Sequence, residues 1–165
     1  GAALSSQSQV ALAQPEQPSQ KEELNVDISQ TGPQQFQQPA SGTWNRLYGY
    51  GYDDTWQDYR FHQGVDIELP QGSDVSAVGT GTVLAVRQDP VQGTLVDLDL
   101  GGGMVATYGG LEPRQGLAAG DQVTAGEVIG SVAAAPVDEA GQPPHIHLEI
   151  QVNGTVSDPL TLLPD

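Results

Sequence analysis

The sequence predicts an all-β protein, an antiparallel β-sandwich or open barrel, on three observations. Glycine and proline number 21 and 12 among 165 residues, about a fifth of the chain against a usual share near 12%. Helix interiors tolerate neither residue. Short apolar runs recur between turn residues from Val65 onward, and no stretch sustains a helical period. Seven short strands without helices between them suit a sandwich or barrel rather than a βαβ fold.

Taken in order, residues 1–43 read as a Gln- and Pro-rich flexible tail or spacer. The first 40 residues hold ten Gln, the sole lysine, Lys21, and a single aromatic, Phe36. Such a stretch has too little apolar surface to offset the entropy of ordering it. A short helix over its first dozen residues is the one element it suggests. The chain opens on Gly1-Ala2-Ala3 without an initiator Met, so a targeting or anchoring segment is open as a lost feature.

Residues 44–165 form the expected domain. Seven of nine aromatics fall between Trp44 and Phe61. Tyr48, Tyr50 and Tyr52 alternate with glycines, which puts three rings on one face of an extended segment. That face either packs on a sheet or lines a groove for a substrate or partner, a groove that Tyr108 would also border. The expected strands are Val65–Leu69, Asp74–Val78, Thr82–Val86, Thr94–Leu100, Met104–Tyr108, Glu127–Val132 and His145–Val152. In the fourth, Val96, Leu98 and Leu100 alternate with Asp97 and Asp99, the signature of a half-buried strand. Asn153-Gly154 after the last strand is a two-residue hairpin turn.

Charge and composition exclude several classes. Five Lys+Arg against 21 Asp+Glu give a net charge of −16, a field that repels nucleic acid and anionic membranes. With no cysteine, disulfides, Cys-ligated metals and thiol catalysis are absent. No apolar run is long enough to span a bilayer, so any membrane attachment would be through an anchor outside this chain. An acidic wall around a groove would favour a cationic substrate or partner, although the same charge also serves plain solubility.

All three histidines fall in two motifs, His62-Gln63-Gly64-Val65-Asp66 and His145-Ile146-His147. Residues two apart on a strand share a face, so His145, His147 and Glu149 project together while Ile146, Leu148 and Ile150 face the core. Four residues of extended strand span about 13 Å, too far for His62 and Asp66 to reach one ion. A kink or bulge at Gly64 would bring them together. Two imidazoles and a carboxylate leave a divalent ion net positive with room for water, the arrangement of catalytic zinc. Non-haem iron uses the same donor types. Glu149 would either hold a ligand or simply be an exposed strand residue.

Gly120–Gly130 resembles a hairpin of biotinyl and lipoyl carrier domains, but the sole lysine is not at its tip. His62-x-x-x-Asp66 with the distal His145-x-His147 resembles the lysostaphin-like, LytM-type zinc metallopeptidases of bacterial peptidoglycan. The likeness runs from about Tyr59 to Leu163 and includes Gly79-Thr80-Gly81-Thr82-Val83, Val123–Gly130 and Pro144–Ile150. It implies a small antiparallel sandwich with a groove and one Zn2+ held by His62, Asp66 and His147. It also implies that His145 assists catalysis and that the domain works outside the cytoplasm, at the cell envelope, on peptidoglycan or a protein partner.

One departure stands out. The family's Tyr-x-His-Leu segment reads Tyr108-Gly109-Gly110-Leu111 here, with glycine in place of a second catalytic histidine. Losing one such group costs about two to four orders of magnitude in rate. The resemblance therefore implies a zinc-binding domain with impaired catalysis. The alternative is a working endopeptidase supported by His145 alone or by a group such as Tyr108. The Tyr-rich lead-in with Asp58-Tyr59-Arg60 resembles the membrane-anchored, degenerate sporulation-channel subfamily. Its domains scaffold a channel between two membranes, and the Gln-rich tail would be a spacer from such an anchor.

Overall fold

A computed structural model describes residues 34–54, 56–90, 92–135 and 142–164. All but Gln34 belong to one compact unit, Gln35–Asp165. The helix suggested for the first dozen residues lies outside the described residues. No helix among the described residues is long and apolar enough to cross a membrane.

The architecture is antiparallel β throughout. Among the described residues, thirteen strands run in order: β1 Thr43–Arg46, β2 Gly49–Asp53, β3 Asp58–His62, β4 Val65–Glu68, β5 Asp74–Ser76, β6 Gly81–Asp89 and β7 Gly93–Gly101. They continue as β8 Met104–Gly109, β9 Leu111–Pro113, β10 Gln122–Val123, β11 Val128–Val132, β12 His145–Val152 and β13 Thr155–Ser157. The large sheet has the order β1-β4-β12-β8-β7-β6-β10, with β13 paired to β12. A second sheet, β5-β11-β9, packs against it, and β2-β3 form a separate hairpin.

The two larger sheets share one apolar core. Strand β12 alternates strictly: Ile146, Leu148 and Ile150 are buried, while His145, His147 and Glu149 lie on the other face. Val96, Leu98 and Leu100 on β7 enter the same core. Each of the seven sequence-predicted strands is present. The six others are short or rich in glycine and polar residues, so their backbone pairing is not announced by alternating apolar side chains. Asn153 and Gly154 both have positive φ, 51° and 79°. That is the two-residue turn geometry whose twist matches the paired strands it joins, and Val152 pairs with Thr155 across it.

Residues 35–43, which composition groups with the tail, are held on the domain. The Gln37 N–H donates to the Val78 carbonyl and the Ser76 N–H to the Pro39 carbonyl, each at 2.7 Å. Phe36 and Ala40 pack against the core. Backbone pairing and one aromatic ring do here what overall composition conceals.

Candidate metal centre

Three strands bring the ligand-type residues together. β4 pairs with β12 so that Asp66 lies opposite His147, and directly opposed residues share a face. The core residues on either side of them, Val65, Ile67, Ile146 and Leu148, are fully buried, so the register that places the pair is fixed by packing. His62 ends β3 and arrives through a bend at Gln63-Gly64. The bend is the expected one, but Gly64 is there for close approach rather than for an unusual φ. A Cβ on Gly64 would collide with the Leu148 carbonyl and sit 3.0 Å from both the His147 ring and Glu149.

One donor atom each from His62, Asp66 and His147 lies within 4.8 Å of the others. His147 Nδ1 is 2.6 Å from Asp66 Oδ1 and 3.2 Å from His62 Nε2. Asp66 Oδ1 is 3.3 Å from His62 Nε2. The outer nitrogens are oriented from behind: His62 Nδ1–H donates to the Leu47 carbonyl at 3.1 Å, and His147 Nε2–H donates to Glu149 Oε1 at 3.0 Å. Glu149 is thus the residue that fixes the His147 ring, the kind of outer partner that orients metal ligands.

The donor set fits zinc. Tetrahedral Zn–N and Zn–O bonds near 2.0–2.1 Å place neighbouring donors about 3.4 Å apart. Two of the three separations already match, and the His147–Asp66 contact would open on binding. Burial disfavours charge on His147, but hydrogen bonds to Asp66 and Glu149 outweigh it and raise its pKa to about 9. Burial likewise opposes the Asp66 carboxylate, yet the bonds from His147 and His62 hold it well below the usual carboxylate range. Without metal, His147 is therefore an imidazolium clamped between two carboxylates.

These residues floor a cavity of about 210 Å³ that is also lined by Arg46, Gln92, Gly109, Gly110, Ala134, Ala135 and His145. His145 borders the cavity but stands outside the three-donor group, and its Nδ1–H donates to the Pro143 carbonyl at 3.0 Å. Gly110 has φ +71°, and a Cβ there would lie 2.5 Å from the His145 carbonyl. Asp66 is the one acidic residue among those described as lining the cavity, so no acidic wall is seen there.

The tyrosines go elsewhere. Tyr108 is fully buried; its hydroxyl accepts from the Val78 N–H at 2.8 Å and donates to the Ser76 carbonyl at 3.3 Å. Burial pushes its pKa up. It is a core post, correcting the expectation that it borders the groove or supports hydrolysis. Tyr48 is half-buried and packs edge-on against Phe61. Tyr50 and Tyr52 are exposed on the β2-β3 hairpin, paired edge-on with Phe61 and Tyr59. None of the three lines the cavity: Tyr50 and Tyr52 stand on the separate β2-β3 hairpin, and Tyr48, just before it, packs against the core. Sequence reasoning missed Arg46 and Gln92. Arg46 had a signal: it is one of four arginines in a strongly acidic chain.

Known proteins resemble this chain in sequence and in fold. The chain is 32% identical over 108 residues to Stage II sporulation protein Q of Bacillus subtilis (strain 168), covering 64% of this chain and 37% of that protein. It is 28% identical over 115 residues to DD-carboxypeptidase/endopeptidase Mpg of Neisseria meningitidis serogroup B (strain ATCC 13091 / M2091), covering 70% of this chain and 26% of Mpg. The chain thus spans about a third or less of the relatives it matches. The fold also matches a chain in the SpoIIQ-SpoIIIAH pore forming complex, with a TM-score of 0.66 and 23% identity over 80% of this chain and 92% of that one. That likeness shows the fold alone. Residues 60–159, which run from the strand carrying His62 to past the hairpin closing β12, match the model of Peptidase family M23, and the chain belongs to that family.

Proposed function

We propose that this is a zinc-binding domain of LytM-type peptidase ancestry, catalytically impaired by Gly110, that acts at the bacterial envelope by binding a protein partner or peptidoglycan. One observation carries the reading. A three-donor centre stands beside a cavity wall that includes Gly110, a glycine with a left-handed backbone at the position where, by resemblance, the family carries its second histidine. The LytM-type resemblance implies zinc, and the donors that would hold it are His62 Nε2, His147 Nδ1 and Asp66 Oδ1. Bound zinc would lower the pKa of water and polarise a carbonyl. The chain's own part is to hold the donors on rigid strands, with Leu47 and Glu149 fixing the two rings. His145 stands at the cavity edge, where it can assist a proton transfer or bond a developing oxyanion. Gly110 offers no side chain for that role.

The relatives support an envelope role outside the cytoplasm. One is named as a sporulation protein and one as a carboxypeptidase/endopeptidase. A fold neighbour sits in a complex titled as pore forming. In this reading the Gln- and Pro-rich stretch before the domain is a spacer, leading in the full-length protein to a membrane anchor. The second reading, an active zinc endopeptidase on peptidoglycan, draws on His145 beside the cavity.

Elemental analysis after zinc loading and dialysis tests the metal. One zinc per chain is expected in the natural protein and none in His147→Ala; no zinc in either would end the proposal. Release of soluble peptides from purified peptidoglycan then separates the two readings. Turnover abolished by His145→Ala would establish the second.

A further inference from the structure

We infer that Arg46 makes the cavity a carboxylate-binding site, and that its ligand is a short peptide with a free C-terminal carboxylate. The inference rests on the proposed reading of this cavity as a ligand site, though not on the metal. Arg46 closes β1, where a register shift after Trp44 sets it opposite Asp66. Asp66 in turn is opposite His147, and His147 is opposite Gly109. These four positions form one row across β1, β4, β12 and β8, on the face that the cavity occupies. The guanidinium is thereby delivered to the wall beside the metal ligands.

Its charge is unusual for this chain. Of five basic residues against 21 acidic ones, Arg60, Arg87 and Arg114 pair with Asp58, Asp97 and Glu127, and none of these three lines the cavity. Arg46 does, and it is held there by Asp53. One Nη lies 2.8 Å from Asp53 Oδ2, and that carboxylate is 7% exposed while the Arg46 side chain is 36% exposed. Asp53 also accepts from the Trp56 N–H at 3.3 Å, which ties the anchor to the β2-β3 turn. A guanidinium presents five N–H donors in a planar fork. An anchor on one nitrogen orients the fork and leaves other donors for an anion. The one acid among the described lining residues, Asp66, is already engaged by His62 and His147.

Asp53 balances the Arg46 charge, so what the cavity offers an anion is the remaining N–H donors of a fixed fork rather than net positive charge. A fixed guanidinium among small residues, Gly109, Gly110, Ala134 and Ala135, suits a planar carboxylate on a slender backbone. Forked Arg–carboxylate bonds are among the strong, geometry-selective ones.

Calorimetric titration of the whole chain with N-acetyl-D-alanyl-D-alanine and with its C-terminal amide tests this, in zinc-loaded and zinc-stripped samples of known metal content. The carboxylate form should bind at least about tenfold more tightly than the amide, with and without metal. Arg46→Gln should reduce that ratio to about twofold or less. Asp53→Asn breaks the same ion pair but keeps the guanidinium, and should retain most of the preference. Equal binding of both peptides, no binding of the carboxylate form, or a preference that survives Arg46→Gln would each overturn the inference. A ratio lost equally in Arg46→Gln and Asp53→Asn would also overturn it, by reducing Arg46 to a structural ion pair. Loss of metal alone, with the ratio intact, would count against the zinc proposal and not against this one.

Discussion

Gly110→Ala and Gly110→His, made side by side, test how far the cavity wall is built around glycine. The backbone there has φ +71°, a region that costs an L-residue about 1–2 kcal/mol. An added Cβ also lies 2.5 Å from the His145 carbonyl, so something must shift, and forcing atoms into a packed site costs about 1–3 kcal/mol. Relief is limited on both sides. The Gly110 carbonyl accepts from Ala133 N–H at 2.9 Å, and His145 begins the strand that carries the ligands. The two terms give a loss of about 2–5 kcal/mol for either variant. With a urea slope of about 1.5 kcal/mol/M, the unfolding midpoint should fall by about 1–3 M.

Urea titration followed by far-ultraviolet circular dichroism reads this directly. Midpoints within about 0.3 M of the natural protein for both variants, about 0.5 kcal/mol at that slope, would refute the left-handed constraint. The outcome also governs how restored chemistry is judged. Hydrolysis by Gly110→His has meaning only relative to Gly110→Ala at the same folded fraction, since both carry the backbone cost and one carries the imidazole. A gain in the first over the second reports the missing side chain. Equal inactivity with intact metal would show that an imidazole at this backbone geometry does not reach the reacting atoms.

Other consequences follow from the same contacts. Glu149→Gln removes the charged acceptor behind His147 and should weaken zinc affinity about 10- to 100-fold in chelator competition; unchanged affinity would mean the 3.0 Å bond does not tune the ligand. Tyr108→Phe leaves the Val78 N–H without its partner and should cost about 1–3 kcal/mol in denaturation, with zinc content unaltered. Metal-free protein should depend on pH through His147, whose pKa rises from 6.5 to about 9 on folding. That stabilisation is complete below pH 6.5 and is lost as pH rises toward 9, a change on the order of 3 kcal/mol. A flat stability profile between pH 6.5 and 9.5 would contradict the clamped imidazolium. Zinc must displace the same Nδ1 proton, so its affinity should fall about tenfold per pH unit below pH 9, visible as proton release in calorimetry.

The parts of this molecule that were legible in the sequence are those where side-chain period reports backbone geometry. β12 alternates for eight residues, so the histidine face and the core face could be separated by counting. The Asn153-Gly154 turn was readable because few residue pairs tolerate positive φ twice. β1, β9 and β10 were not readable, being two to four residues long and held by partners distant in sequence. The hairpin of aromatics shows a different failure. Alternation placed Tyr50 and Tyr52 on one face, but no local pattern says whether that face meets the sheet, the cavity or solvent. Tyr108 was misread because a tyrosine near a motif looks available, whereas its hydroxyl has two backbone partners inside the core. Arg46 reaches the cavity only through the register of β1 on β4, which no spacing within the chain encodes.

Metal binding and catalysis are separable in this fold because they rest on different kinds of structure. Two of the proposed ligands, Asp66 and His147, stand on paired strands whose opposite faces are Ile67, Ile146 and Leu148, all fully buried. Their geometry persists as long as the core does, since moving either strand by one residue would expose that whole apolar set. Gly110 sits instead at the junction of β8 and β9, where its identity answers to backbone conformation rather than to core packing. A change there removes an acid–base group without disturbing a ligand. On the proposed reading, the domain would keep a rigid, metal-competent cavity without that hydrolytic partner, and such a cavity would still hold a ligand. Arg46 belongs to the retained half: it is set by strand register and a buried carboxylate, and it is independent of residue 110. Ligand recognition should therefore survive the substitution that impairs turnover.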